Sequence, residues 1–229
     1  MIKNSKCVIL HTMKLSESSK IITTYSEEYG KLSLVAKGAF SNKSKFLGLL
    51  ETSYIINAEF YFKENRDLHT LSNAEIIHRY KNAKTDFRTL ICQMICCELT
   101  NKTQNVGEIN PELFNDLQES LIKIDIGSSL YNTLRYFLFV IKHLGYQISL
   151  STINNENVYF NLNNGKINSV SGLKLLKNEL FIFQNLINDS NETNDITLQE
   201  FNKIINILIR YTSLHIDKQL YINSLEILN

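Results

Sequence analysis

Glu28-Tyr29-Gly30-Lys31-Leu32-Ser33-Leu34-Val35-Ala36-Lys37 is the stretch from which the fold is read. Gly30 stands where a hairpin requires positive φ, and the aliphatic run from Lys31 to Lys37 has the character of a strand leaving that turn. Working outward, Cys7 to Met13 and Lys20 to Ser26 precede it with the same character. Thr52 to Lys63 and Leu68 to Tyr80 follow it, separated by the polar turn formers Glu64-Asn65-Arg66-Asp67. Five short strands in sequence predict a small antiparallel barrel over residues 1–80.

After the polar stretch Lys81 to Lys84 the hydrophobic period becomes helical. Phe87, Leu90, Ile91, Met94 and Ile95 share a face, as do Leu113, Phe114, Leu117 and Leu121 behind an Asn110-Pro111-Glu112 start that favours a helix N-terminus. Ser129 to Leu144 is apolar almost all round and closes at Gly145, which predicts the buried centre of this half. Val158, Phe160 and Leu162 alternate into Asn163-Asn164-Gly165 with Ile167 beyond, predicting a small type I′ hairpin at about residues 157–168. Leu173, Leu176, Leu180, Phe183 and Ile187 predict a further helix. Thr197 with Glu200 forms a capping-box pattern before Phe201, Ile204, Ile205 and Leu208, and a last amphipathic segment is expected from Leu214 to Leu228. The class is therefore α+β, with a barrel followed by a helical region over residues 81–229.

Composition narrows the function classes. The chain has 229 residues, 44% hydrophobic and 21% charged, enough for one large domain or two small ones with real cores. No window approaches a membrane span and Met1 to Thr12 does not read as a secretory signal, so a cytoplasmic protein with no membrane partner is expected. Cys7, Cys92, Cys96 and Cys97 lack the spacing of a disulfide framework, so reduced thiols are expected. Cys92 and Cys96 share a helical face, but no histidine stands near them to complete a zinc set, which favours core packing. The five histidines show no ligand spacing, and no nucleophile elbow, Walker loop or dinucleotide fingerprint is present. A non-enzymatic protein is expected.

The formal charge of +1 argues against a polyanion partner until it is divided along the chain. Residues 1–80 hold 11 Lys and Arg against 8 Asp and Glu, whereas residues 151–229 hold 6 against 8. Between Tyr29 and Leu50 stand Lys31, Lys37, Lys43 and Lys45 without one acid. These lysines can neutralise phosphates, Ser41 and Ser44 can donate hydrogen bonds, and Phe40 or Phe46 can offer a stacking face to an unpaired base. The plain alternative is a solvated lysine loop with both phenylalanines in the core.

The order of features resembles the bacterial RecO family of recombination mediators in DNA repair. The resemblance is carried by Gly30-Lys31-Leu32-Ser33 running into Ala36-Lys37-Gly38-Ala39, and then, in order, by Leu68 to Glu75, Glu98-Leu99-Thr100, Asn110 to Phe114, Leu144-Gly145-Tyr146 and Asn223-Ser224-Leu225. It implies that the barrel is an OB-fold, whose open face commonly binds single strands. It also implies binding of single-stranded and duplex DNA, annealing of complementary strands, and work with RecR to load RecA onto strands coated by single-stranded DNA-binding protein. The helical region would receive that protein's acidic C-terminal tail, for which Arg135, Lys142 and Arg210 are basic candidates.

Two departures stand out. Many family members hold a structural zinc with four cysteines around the hairpin after Leu-Gly-Tyr, but no cysteine follows Cys97 here, so no zinc and no other cofactor is expected. The family's arginine-rich loop is reduced to Lys43 and Lys45, which lack arginine's planar fork, and a more salt-sensitive grip follows. The competing function is an adaptor whose barrel and helical groove bind only proteins.

Overall fold

A computed structural model describes residues 1–64, 66–151, 157–189 and 195–228. Five strands, β1 (Ile2–Lys14), β2 (Lys20–Ser26), β3 (Gly30–Ala36), β4 (Ile55–Tyr61) and β5 (Leu68–His78), close into a barrel in the order β1-β2-β3-β5-β4. All pairs are antiparallel except β3 with β5, which run parallel through Ser33, Leu34 and Val35. This is the OB-fold, and the expected five strands are those observed. β1 starts five residues earlier than its apolar run, because Ile2 to Lys6 pair with Tyr61 back to Asn57 of β4. There ladder pairing outweighs a weak strand pattern. Of the expected turn between β4 and β5, Asn65 lies outside the described residues.

Alternation along β1 explains how the barrel joins the rest. Cys7 and Ile9 face the barrel core with Ile22, Leu34, Ile56 and Phe60. Val8 and Leu10 point the other way and join Tyr25, Ile55 and Tyr80 in a second core shared with the helices. The strand is thus buried on both faces, all four residues being at most 2% exposed.

The helical part comprises α1 (Phe87–Thr103), α2 (Pro111–Ile126), α3 (Ser129–His143), α4 (Lys177–Ile187), α5 (Leu198–His215) and the short α6 (Ser224–Leu228). Asp86 caps α1 by accepting from the Thr89 N–H at 3.0 Å, Asn110 caps α2 with Pro111 in its first turn, and Thr197 and Glu200 form the expected capping box on α5. Cys92, Cys96 and Cys97 are buried on α1, and burial pushes the thiols of Cys7 and Cys97 up to about 12. They act as core residues.

Three expectations need correction. Leu173 does not open a helix: Leu173–Leu175 is a strand, β9, and α4 starts only at Lys177. It completes a four-stranded sheet with β6 (Ser149–Leu150), β7 (Val158–Phe160) and β8 (Lys166–Asn168), in the order β6-β8-β7-β9, so the hairpin is the middle of a sheet. The hairpin turn is not the two-residue type I′. Asn161 donates to Lys166 O and accepts from the Gly165 N–H, each at 2.9 Å, which leaves residues 162–165 as a four-residue loop with Gly165 at φ +66°. The hairpin is held by Phe160, whose ring centroid lies 5.5 Å from Phe183 and 5.6 Å from Tyr211. Finally, Leu214 to Leu228 is not one segment, because α5 stops at His215 and the chain crosses to α1 before α6.

That crossing is anchored by Glu98 of α1. Its carboxylate accepts from the Asn223 and Ser224 N–H groups at 2.8 and 2.9 Å and from the Ser224 hydroxyl at 2.9 Å, and it pairs with Lys102 at 2.9 Å. Burial alone would raise the Glu98 pKa, but Lys102 and these donors outweigh it and hold the carboxyl below its usual range. The connection from barrel to helices is tied in the same manner by Asp125, 4% exposed, which accepts from the Lys81 and Ala83 N–H groups at 2.9 and 2.8 Å.

Candidate nucleic-acid interface

β3 carries the candidate lysines to both ends of the barrel. Beyond Ala36 the chain makes successive tight turns, with Ser41 N–H donating to Gly38 O at 3.1 Å, Ser44 to Ser41 O at 2.9 Å and Leu49 to Phe46 O at 3.1 Å. These turns drop Phe46 and Leu50, 4% and 2% exposed, into that end of the barrel core. Phe46 is therefore a plug and not a stacking surface, because its ring has no free face. Ser41 and Ser44 accept from the Lys43 and Phe46 N–H groups at 3.4 and 3.1 Å, so their oxygens shape the turns while their protons remain for a ligand.

Phe40 is 46% exposed. Its N–H reaches Ser18 O at 3.2 Å, which lays the β1–β2 loop beside the basic segment. Lys37 and Lys43 are exposed, and neither ammonium has a hydrogen-bond or ion-pair partner among the described residues. Lys45 donates to Ser72 O on β5 and holds its Nζ 5.3 Å from the Phe46 ring centroid. Sequence reading passed over Lys20: half-buried at the start of β2, it sits 5.6 Å from the Phe40 centroid while donating to Leu50 O at 3.0 Å. No acid-free run flagged it, since Glu17 lies close by in sequence.

Lys31 does not join this group. It lies at the other end of β3, about 20 Å from Lys37 at strand spacing. Its Nζ donates to Asn101 O at 2.8 Å, and its backbone carbonyl accepts from the Gly107 N–H at 2.9 Å. Burial, then the nearby Lys218 charge, lower its pKa. The segment after α1 thus grips β3, and Gly30 is what allows the approach: φ is +62°, and a Cβ there would lie 2.1 Å from Glu108 O. Burial and then the Glu108 charge push the Tyr25 phenol beneath this contact up to about 12.

In the helical part, Arg135 bonds Asp189 through Nε at 2.8 Å and lies 4.9 Å over the Phe139 ring. Lys142, two turns further along α3, lines a cleft of about 490 Å³ between the C-terminal ends of α3 and α4, with Leu138, Phe139, Ile141 and Leu186 as its apolar wall. Arg210 is exposed on α5 and does not line it. Two of the three basic candidates therefore flank one cleft.

The comparison with family models decides the kinship. Residues 1–80 match "Recombination protein O N terminal" and residues 84–221 match "Recombination protein O C terminal". The chain belongs to the recombination protein O family. Similar relatives are each named "DNA repair protein RecO": one from Clostridium acetobutylicum, 30% identical over 64% of this chain and 59% of its own length, and one from Geobacter metallireducens, 31% identical over the same shares. A third, from Prosthecochloris aestuarii, is 32% identical over 53% of this chain and 46% of its own. The chain spans about half the length of the curated relatives it matches. A solved Entamoeba histolytica asparaginyl-tRNA synthetase aligns at 11% identity over 70% of this chain and 36% of that one, with a TM-score of 0.29, below the level of a shared fold. Among the described residues no helix of this RecO-family chain is long and apolar enough to cross a membrane.

Proposed function

We propose that this RecO-family chain is a non-enzymatic recombination mediator that holds single-stranded DNA, and also duplex DNA, on the Lys37–Lys45 end of its barrel. The observation that carries the reading is the exposed pair Lys37 and Lys43, without an ion-pair partner among the described residues, beside the exposed Phe40 at the end of a closed OB barrel. Lysines that displace counterions from two phosphate backbones lower the repulsion between them, so complementary strands anneal without bond making or a nucleotide cofactor. The same reading includes partnership with RecR and, through it, RecA loading on strands coated by single-stranded DNA-binding protein, a role that family membership supports. The acidic tail of that coating protein would place its apolar end in the α3–α4 cleft and its carboxylates on Lys142 and on Arg135, exchanged from Asp189.

Fluorescence anisotropy with a labelled oligonucleotide tests the first step. Three lysines, Lys37, Lys43 and Lys45, give an expected slope of log affinity against log salt of about −2. Changing all three to alanine is expected to flatten that slope, and an unchanged affinity and slope would remove the assignment. An adaptor that binds only proteins shows no oligonucleotide binding even at low salt.

A further inference from the structure

The barrel end opposite the Phe46 plug is closed differently. Strand direction puts Tyr29, the end of β4 and the start of β5 together there. The Phe62 ring stacks on His69, centroids 4.5 Å apart and planes at 24°, and Tyr29 lies 5.5 Å from Phe62 with planes at 35°. Tyr29 and Phe62 are only half-buried, with the Phe60 ring edge-on to Tyr29 at 5.5 Å and Lys3 Nζ 5.8 Å from the Tyr29 centroid. Their exposed parts line a cleft of about 290 Å³ whose far wall is the segment after α1, with Val106 and Ile109 65% and 55% exposed. Lys31 and Arg66 stand at this cleft against one acid, Asp67. The nearby Glu108 carboxylate is bonded to Asn105 at 3.1 Å.

A flat apolar slot with aromatic walls and a cationic rim matches a planar ring that carries an anion. We propose that this cleft takes one unpaired nucleotide of a bound single strand, its base against Tyr29 and Phe62 and its phosphate toward Arg66 and Lys31. The inference rests on the DNA-binding reading above and adds a second subsite to it. A paired base is stacked inside its duplex and does not enter, so the cleft favours unpaired strands. His69 fits the role of an uncharged wall: its Nδ1 accepts from the Lys63 N–H at 3.3 Å, which leaves the ring proton on Nε2, and burial lowers its pKa. The two subsites lie about 20 Å apart along β3. That span suits one strand lying along the barrel, within the roughly 4–16 nucleotides that an OB-fold covers.

The test compares a labelled oligothymidylate with an abasic deoxyribose-phosphate strand of the same length. Phe62→Leu is expected to lower oligothymidylate affinity roughly 5- to 150-fold, the range for losing one stacked base. Affinity for the abasic strand and the salt slope should not change. If Phe62→Leu shifts the urea midpoint, Val106→Gln on the exposed wall, which adds no charge, is expected to weaken oligothymidylate binding but not abasic-strand binding, without touching the barrel core. Unchanged oligothymidylate affinity in both variants, with the triple lysine variant still weakened, overturns the cleft and leaves the DNA reading standing. Failure of the unaltered protein to bind oligothymidylate overturns both. Displacement of the strand by the peptide Glu-Phe-Glu as effectively as by a dinucleotide assigns the cleft to a protein segment and overturns the proposal.

Discussion

Replacing Gly30 by alanine separates two demands that meet at one residue. A φ of +62° costs an L-residue about 1–2 kcal/mol. The added methyl would also lie 2.1 Å from Glu108 O and 2.6 Å from its carbonyl carbon, so backbone must move. Overpacking of that kind costs about 1–3 kcal/mol. Retreat of the loop further weakens the Gly107 N–H bond to Lys31 O and the Lys31 bond to Asn101 O, about 0.5–1.5 kcal/mol each if lost. Gly38 is the internal control, because its φ is +70° and nothing lies within 4 Å of its would-be Cβ. Both alanines restrict the unfolded chain alike, so the difference between them isolates the contact with Glu108. Gly38→Ala is expected to cost about 1–2 kcal/mol and Gly30→Ala about 3–5 kcal/mol, measured as urea midpoints and melting temperatures, with about 2–4 °C per kcal/mol at this size. Equal losses within about 0.5 kcal/mol would mean that the 105–109 segment does not press on β3.

Phe46→Ala is expected to lose about 3–5 kcal/mol by opening the plugged end of the barrel, whereas Phe40→Ala at the exposed neighbouring position should stay within about 0.5 kcal/mol, both read from denaturant midpoints. Glu98→Gln is expected to destabilise at neutral pH and to flatten the acid limb. A carboxyl held below its usual range stabilises the fold above the unfolded value near 4.5 and loses that contribution as pH falls through its depressed folded value, so wild type and variant should converge in a series of melts toward low pH. Asp125→Ala strands the buried Ala83 N–H and removes the half-buried Lys81 bond, and should cost about 1–3 kcal/mol, with Asp125→Asn recovering part of it by accepting one of the two bonds.

How much of this was legible depends on the range of the interaction. The barrel strands, the Asn110-Pro111 start and the Thr197–Glu200 capping box are local signals, and each is found where its residues indicated except for the earlier start of β1. The helix expected from Leu173 failed because Leu173 and Leu176 fit a helical period, yet Leu173 and Leu175 found β7 as a ladder partner, a choice that only tertiary pairing makes. The basic segment was visible as a run without acids, but composition cannot separate Phe40 from Phe46. Which ring faces water is settled by a chain of turns and by the size of the hole it fills. Lys31 was grouped with Lys37 through nearness in sequence, although six residues of strand carry them to opposite ends of the barrel. The cleft around Phe62 had no linear signature, since its walls come from segments near residues 29, 66 and 106.

Val8 and Leu10 bear on how this chain can be cut. The family models divide it near residue 80, and a gene segment ending there looks like a transferable module. Severed at that point, the barrel would present Val8, Leu10, Tyr25, Ile55 and Tyr80 to water as one apolar surface, and the helical remainder would lose the lid over its own core. Such a contiguous patch drives self-association. Expressed alone, each half is therefore expected to self-associate, and the boundary drawn through the sequence cuts across a shared core.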